Sequence, residues 1–558
     1  MKKSVVPVLI GLILALVPWP AVAPPAVASS APPGASAYHP ITPNRLADTR
    51  AEMGAHGFTR TGPSTIRVQV TGRAGIAGGA TAVVLNVASV DAAAAGFVTA
   101  YPAGSPRPLA ASLNVDAPGR IVANLTTVRL SADGAVDIYS NVAMDLVVDV
   151  AGTYSPADGP VAAGRLVTIP GGARRAYDSR TTKARLGPGG TQIVDLSPAG
   201  VPADAVAVAI NLAAVDGDAG FWTAYPTGDS LPLASSLNLD GVRQTRNSQG
   251  IVRLNPGTRS ISVYSYGGGD LVVDVVGWFT GSNAPASLDG LFVPTAPTRV
   301  LDSRDSSTYA PWGATTLEFE TRVPAGISAA AVAMNIAITE PWNVGFVTAF
   351  PAGVSRPLAA NLNVTALDQI ISNHAIVRNG SRGVSLYTQN GAHMIVDVAG
   401  WYLGAPDASV LPVPTIPTFD PTWAIAIRAP GLVAVDVGYH RNINTVLDRG
   451  MAGLWSGSGR LGAPDTNIFF AHRTSHGGPF RSIDRLTAGT TFEVVGEDGA
   501  IYTYLVTRTN IIWPTSTHLF HALAGAGEFT TTLVACHPPG STRYRLTITG
   551  RLIGARRP

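Results

Sequence analysis

The chain has 558 residues and a net charge of +3, too small a surplus on this length to argue for a nucleic-acid partner. Hydrophobic residues make up 46%, charged residues only 13%, and there are 60 glycines, which excludes a disordered polyampholyte and fits a strand-rich globular chain. With one cysteine, Cys536, no disulfide can close within the chain, so its stability has to come from burial.

At the N-terminus, Lys2 and Lys3 precede an apolar run from Val5 to Val17 that is broken by Pro18 and Pro20. That is the layout of a secretory signal, and the run is short of the roughly 20 apolar residues that span a membrane. Small-x-small sites follow at Ala26-Val27-Ala28 and Ala35-Ser36-Ala37; the alternative is an uncleaved signal anchor reaching to Ala23. Residues 1–37 are therefore expected to be a signal with its linker. The rest of the chain is expected outside the cytoplasm, at the cell surface, in the wall or at the membrane.

The body of the chain repeats itself. "GFVTAYPAGSPRPLAASLNV" from Gly96 returns as "GFWTAYPTGDSLPLASSLNL" from Gly220 and as "GFVTAFPAGVSRPLAANLNV" from Gly345, 124 and 125 residues apart. Each copy opens on an Arg-x-x-Asp-(Thr/Ser)-Arg element and closes on "VVDVAG", "VVDVVGW" or "IVDVAGW", which bounds three repeats at 41–156, 165–281 and 292–404. Runs such as Ala82–Val90, Phe97–Tyr101, Ile121–Leu130, Val136–Tyr139 and Leu146–Val150 are β-branched and aromatic and are separated by Gly, Pro and Asn turns. Such a pattern predicts an all-β chain of antiparallel sandwiches or barrels. A period of this length suits separate beads on a string rather than a solenoid.

Asp48, Asp178 and Asp302 recur two residues before an arginine. The pattern fits a structural ion pair or turn cap better than a ligand site, since one acid per copy is too few for a calcium cage. Trp222, Trp278 and Trp401 have the chemistry to stack on sugars, but strand aromatics usually belong to the core. The repeats resemble modules of secreted proteins from Gram-positive-type bacteria, a resemblance that implies no settled function. As a wall-binding or adhesive array they would grip an envelope polymer.

Residues 405–422 hold five prolines and read as a stiff linker able to hold its two ends on the order of 50 Å apart. Residues 423–558 are strand-like again ("WAIAI", "NIFFA", "TFEVV", "IYTYLVTRTNII", "TTTLVAC", "YRLTITGRL") and predict a small barrel or sandwich. Cys536 ends one of these strands, and Arg543 and Arg545 open the next. Alternation puts the two arginines on one face, and an antiparallel neighbour would bring that face beside the thiol. A cation there lowers a thiol pKa or neutralises an oxyanion. A cysteine nucleophile also needs a proton carrier, and the candidates are His472, His476, His518, His521 and His537.

"LDRGMAGLWSGSGRLGAPDTNIFFAHRTSHGGPFRSIDRLTAG" followed by "TLVACHPPGSTRYRLTITG" resembles the sortases, most closely class E. The family pattern has a Gly-His-Arg strand end, a GxPF loop, a Thr-Leu-x-Thr-Cys strand and an arginine nine residues past the cysteine. The resemblance implies catalytic roles for His472, Cys536 and Arg545, with Arg543, His476 and His537 as secondary candidates. It further implies an eight-stranded barrel and a transpeptidation with no cofactor and no metal. Cys536 would attack the Thr–Gly bond of a sorting signal and hold the acyl group as a thioester. His472 would shuttle protons, and Arg545 would bind the substrate backbone or stabilise the oxyanion. The implied partners are proteins with a C-terminal sorting signal and an amine of the cell envelope, with hydrolysis as side reaction.

Two residues depart from the family pattern: Ala471 stands in place of glycine and Ala535 in place of threonine. They raise the expectation of a strained backbone at 471 and of weaker substrate binding at 535, where a hydroxyl is missing. Three other readings of these residues have a physical basis. His472, His476, Cys536 and His537 could ligate zinc; a papain-like protease would use Cys and His in the reverse chain order; and a degenerate barrel would leave the repeats as the working part.

Overall fold

The computed structural model describes residues 30–305, 315–354, 356–357, 359–408, 422–440, 442–455, 458, 460–462, 466–515 and 529–557. The apolar run of the signal, most of the proline-rich linker, His518 and His521 lie outside them. Strands dominate; the described α-helices are single turns at Ser179–Thr182 and Asn444–Leu447. Among the described residues no helix is long and apolar enough to cross a membrane.

Each repeat is a two-sheet antiparallel sandwich. In the first, strands Ser36–Asp48, Asp145–Pro156, Ala82–Val90 and Val122–Arg129 form one layer. Thr59–Gly62, Thr65–Gln69, Ala135–Ser140, Gly96–Pro102 and Leu113–Val115 form the other. The expected run Ala82–Val90 is a strand with those bounds. It is buried almost end to end because both of its faces are covered. Val83, Leu85 and Val87 fill the sandwich, while Ala82 and Val84 face a second core. The same division recurs with Val208, Ile210 and Leu212 against Ala207 and Ala209, and with Val332, Met334 and Ile336 against Ala331 and Ala333.

That second core overturns the beads-on-a-string expectation. Residues of all three repeats share it, among them Tyr38, Tyr154, Phe279, Phe292 and Tyr402, and Tyr154 and Tyr402 join hydroxyls at 2.7 Å. The first and third repeats also continue one eight-stranded sheet through the pair Ser36↔Phe292. Three equivalent asparagines close the arrangement into a ring, each Nδ2 donating to a carbonyl of the next repeat. Asn86 reaches Ser235 at 2.5 Å, Asn211 reaches Ala360 at 2.8 Å, and Asn335 reaches Ala111 at 2.6 Å. Alanines on the inner strands permit the close approach of the three sheets. A bulkier side chain there would hold them apart.

The packing of the first strand bears on the two signal cleavage sites. Ala35 and Ser36 are fully buried and Ala31 N–H bonds to Asp158 O, so cutting after Ala37 would remove packed residues, whereas the site ending at Ala28 precedes them.

The C-terminal part is a closed barrel of eight strands. We number them β1 (Ala424–Ala429), β2 (Val433–Gly438), β3 (Ala452–Leu454), β4 (Thr466–Phe470), β5 (Thr491–Gly496), β6 (Ile501–Ile512), β7 (Thr530–His537) and β8 (Tyr544–Arg556). Their order around the barrel is β1-β2-β3-β4-β7-β8-β6-β5, with β2–β3 and β4–β7 parallel and the other pairs antiparallel. β2 and β3 were not among the strands read from the sequence. β2 nevertheless alternates buried Val433, Val435 and Val437 with exposed Ala434 and Asp436, a period of two. Strand Thr315–Phe319 of the third repeat passes within 8 Å of β6 between Cα atoms. The barrel therefore sits against the repeats, and the wide separation expected of a stiff linker is not observed.

Candidate active site

Three neighbouring strands of the barrel build the site. β7 and β8 pair Cys536 directly with Arg545 and Val534 with Thr547, while Leu533 faces Ile548 and Ala535 faces Leu546. Leu533, Ala535, Leu546 and Ile548 fill the barrel, so the alternate residues, including Cys536 and Arg545, stand on its outer face. On the other side, parallel β4 pairs Phe469 with Leu533 and Phe470 with Val534, and Ala471 N–H extends the ladder to Val534 O at 3.1 Å. Carrying that register two residues further brings His472 level with Cys536 and on the same outer face. Cys536 and Arg545 thus stand side by side on β7 and β8, and His472, two residues past the end of β4, completes the row by continuation of that register. Ile468, Ile512 and Val534 with Trp455 and Phe470 make an apolar patch on that face below the row.

Each member of the row has a distinct environment. Cys536 is partly exposed. Arg545 Nη1 donates to the carbonyls of Thr542 at 3.0 Å and Tyr544 at 3.1 Å, which aligns the guanidinium across the β7–β8 turn. Among the described residues no carboxylate pairs with Arg545. His472 opens a loop closed by Phe480 N–H on His472 O at 3.0 Å, with the Phe480 side chain fully buried. Its Nε2 lies 3.4 Å from Asp448 Oδ1, and its ring stacks on His476 with centroids 4.6 Å apart.

The secondary candidates separate from the row. Arg543 precedes β8 and lies over the Tyr544 ring at 5.2 Å, so it does not share a strand face with Arg545 as alternation had suggested. His537 has the opposite parity to Cys536, and its Nδ1 accepts from Arg473 Nη1 at 2.7 Å. Burial and the Arg473 charge hold His537 below the usual histidine pKa. This placement rules out the set His472, His476, Cys536 and His537 as one zinc cage, because His537 is turned away from the outer face. His476 remains beside His472.

Two residues that the sequence reading did not single out shape the site. Arg473 is 2% exposed and also bonds Asp484 at 2.9 Å, so it ties the loop after β4 to the end of β7. Asp448 caps the Asn444–Leu447 turn through its own N–H to Asn444 O at 2.9 Å and projects toward both histidines. No spacing rule links a residue 24 positions upstream to His472. The antiparallel pairing of β3 with β4, which sets Gly453 against Phe470, joins them.

The two departures from the family pattern also find their explanation. Ala471 is buried in the barrel core and is not among the residues with positive φ, so alanine meets no backbone strain there. Ala535 also faces the core, opposite to Cys536, and a threonine hydroxyl at 535 would have pointed away from any ligand on the outer face.

The recurring acids of the repeats are structural. Arg45 bridges Asp48 at 3.0 Å and Asp149 at 2.7 Å, and Arg50 closes on Asp48 at 2.6 Å. Arg175 and Arg180 repeat this with Asp178 and Asp274, and Arg299 and Arg304 with Asp302 and Asp397. The hydrogen bond from Arg50 holds the Asp48 carboxyl below its usual range, whereas burial pushes Asp149 up. Trp222 and Trp401 are buried and Trp278 packs against the second repeat's core, so none of the three offers a sugar platform.

Known proteins match the part of the chain that forms the barrel. The sortase domain model matches residues 415–553. Sortase SrtE1 of Streptomyces coelicolor is 26% identical over 152 residues, which cover 25% of this chain and 43% of that protein; the chain thus spans less than half the length of this relative. Among solved structures, sortase E1 of Streptomyces coelicolor with a tripeptide in the active site matches at 24% identity and a TM-score of 0.22, over 24% of this chain and 90% of that one. Streptococcus pneumoniae sortase C matches at 21% identity and a TM-score of 0.22, over 23% of this chain and 68% of that one. Clostridium perfringens sortase C with a C-terminal cell wall sorting motif matches at 19% identity and a TM-score of 0.21, over 24% and 73%. The C-terminal region of this chain, residues 415–553, carries a sortase domain.

Proposed function

We propose that the barrel is a working transpeptidase that cleaves a Thr–Gly type sorting signal outside the cytoplasm and passes the acyl group to an envelope amine. The observation that carries this reading is the row His472–Cys536–Arg545 on one outer face, where Arg545, with no carboxylate partner among the described residues, is the residue paired with Cys536.

In the proposed cycle the Cys536 sulfur attacks the peptide carbonyl, and the oxyanion that forms is stabilised by Arg545. His472 gives a proton to the leaving amine, which frees the new N-terminus and leaves a thioester on Cys536. An incoming amine then attacks the thioester, His472 takes its proton, and the thiolate is released. Water in place of the amine gives hydrolysis. The three-repeat ring, rigid through its shared core, would hold the barrel at the envelope; its placement against the barrel and the signal-like N-terminus support this part.

The test is to incubate the purified chain with a small library of pentapeptide signals and weigh the protein. An acyl adduct on Cys536 that disappears on adding an amine supports the reading. Turnover that persists in Cys536→Ala would end it.

A further inference from the structure

We propose that Asp448, His472 and His476 form a binding site for a borderline divalent cation, Zn2+ above all, and that occupation of this site switches the transpeptidase off. The second half of the proposal rests on the function proposed above, through His472. The first half stands on geometry alone.

One ligand atom from each of the three residues lies within 4.8 Å of the other two. Asp448 Oδ1 is 3.4 Å from His472 Nε2 and 3.9 Å from His476 Nε2. A tetrahedral zinc ion with bonds near 2.1 Å spaces its ligand atoms about 3.4 Å apart. One contact already has that value, and the others close by rotation of side chains that face solvent. Two imidazoles and a carboxylate are also the donor set that zinc takes in three-residue sites, which leave a fourth position to water or substrate.

The backbone is arranged to bring the second histidine in. His476 lies in the left-handed region at φ 49°, an uncommon conformation for a residue other than glycine. Gly450, two residues after Asp448, has φ 74° and lies so near His476 that a Cβ there would sit 2.8 Å from His476 O. The turn carrying Asp448 and the loop carrying His476 therefore pack backbone to backbone, with the two imidazole rings stacked on each other. Cys536 is not part of the three-residue cluster, so the site is distinct from a thiolate complex at the nucleophile. With its Nε2 lone pair given to the ion, His472 can neither donate a proton to the leaving amine nor accept one from the incoming amine.

The experiment titrates the untagged full chain with Zn2+ alone by calorimetry, in four forms: wild type, His476→Asn, Asp448→Ala and Cys536→Ala. Asparagine is chosen at 476 because it tolerates the left-handed backbone. One ion per chain is expected for wild type and for Cys536→Ala, with affinity lowered more than about tenfold in the other two. Cobalt in place of zinc should give visible d–d bands without the near-ultraviolet thiolate charge-transfer band. Binding lost in Cys536→Ala, retained in both His476→Asn and Asp448→Ala, or absent in wild type would each overturn the site. The second arm measures peptide-driven thioester formation with and without Zn2+, each form against itself. Wild type should be inhibited and His476→Asn should not; equal inhibition of both, or none in wild type, overturns the switch. A chain that binds zinc as described but forms no thioester under any condition refutes the transpeptidase reading and the switch built on it, and leaves the metal site standing.

Discussion

Cys536 and Arg545 are directly paired residues of β7 and β8, with both side chains on the outer face of the barrel. Directly opposed residues of antiparallel strands hold their Cβ atoms about 5 Å apart, so the Arg545 side chain starts within reach of a carbonyl oxygen bound next to the sulfur without a rearrangement of the backbone. The pairing also discriminates between the two arginines of the segment. Arg543 lies before the strand and rests on Tyr544.

This arrangement sets an order of effects on thioester formation. Cys536→Ala abolishes it, and His472→Ala reduces it to background. Arg545→Ala lowers the rate by about 10²–10³, the cost of removing one oxyanion donor, whereas Arg543→Ala changes it much less. Single-turnover mass measurements with a sorting-signal peptide give the ranking, and an Arg543 effect equal to that of Arg545 would contradict the pairing.

Ala535→Thr should act on stability and not on peptide preference. The side chain at 535 is 2% exposed and faces Leu546 in the barrel core, so the added atoms overpack it at a cost of about 1–3 kcal/mol. Thermal melting should show the loss. A shift in peptide selectivity would mean that the residue reaches the outer face after all.

Acid should loosen the repeat ring through His374. This residue is buried, bonded by Nε2 to Thr127 of the first repeat at 3.2 Å, and burial pushes its pKa down to about 3. Its folded value lies below its unfolded value. Its contribution is therefore complete above about pH 6.5 and is lost as pH falls from there toward 3, at about 1.4 kcal/mol per pH unit. Denaturant melts of wild type and His374→Gln at several pH values check this: the variant should show the shallower pH slope in the transition of the repeats. The carboxylates common to both proteins cancel in the difference.

Tyr402→Phe tests the shared core. It leaves the buried Tyr154 hydroxyl without its 2.7 Å partner and should cost about 1–3 kcal/mol. Independent beads would confine the loss to the third repeat. A ring loses stability as a unit, which hydrogen exchange at the Ala82–Val90 strand of the first repeat would register.

The sequence by itself carried the repeats and their strand-rich character, because repetition is a property of the chain in one dimension, whereas His472, Cys536 and Arg545 were pointed to by the resemblance to the sortases. Alternation in β7 and β8 was enough to put an arginine beside Cys536. Alternation does not say which residues of two strands stand opposite, and that register separated Arg545 from Arg543 and turned Ala471 and Ala535 inward. Tertiary structure alone decided two further matters. The small alanines of the three inner strands mark a surface that must be buried but not its partner, and the common core around Tyr154, Phe279 and Tyr402 supplies it. Asp448 reaches His472 and His476 through the antiparallel pairing of β3 with β4, which sets Gly453 against Phe470, and that register cannot be read from local spacing.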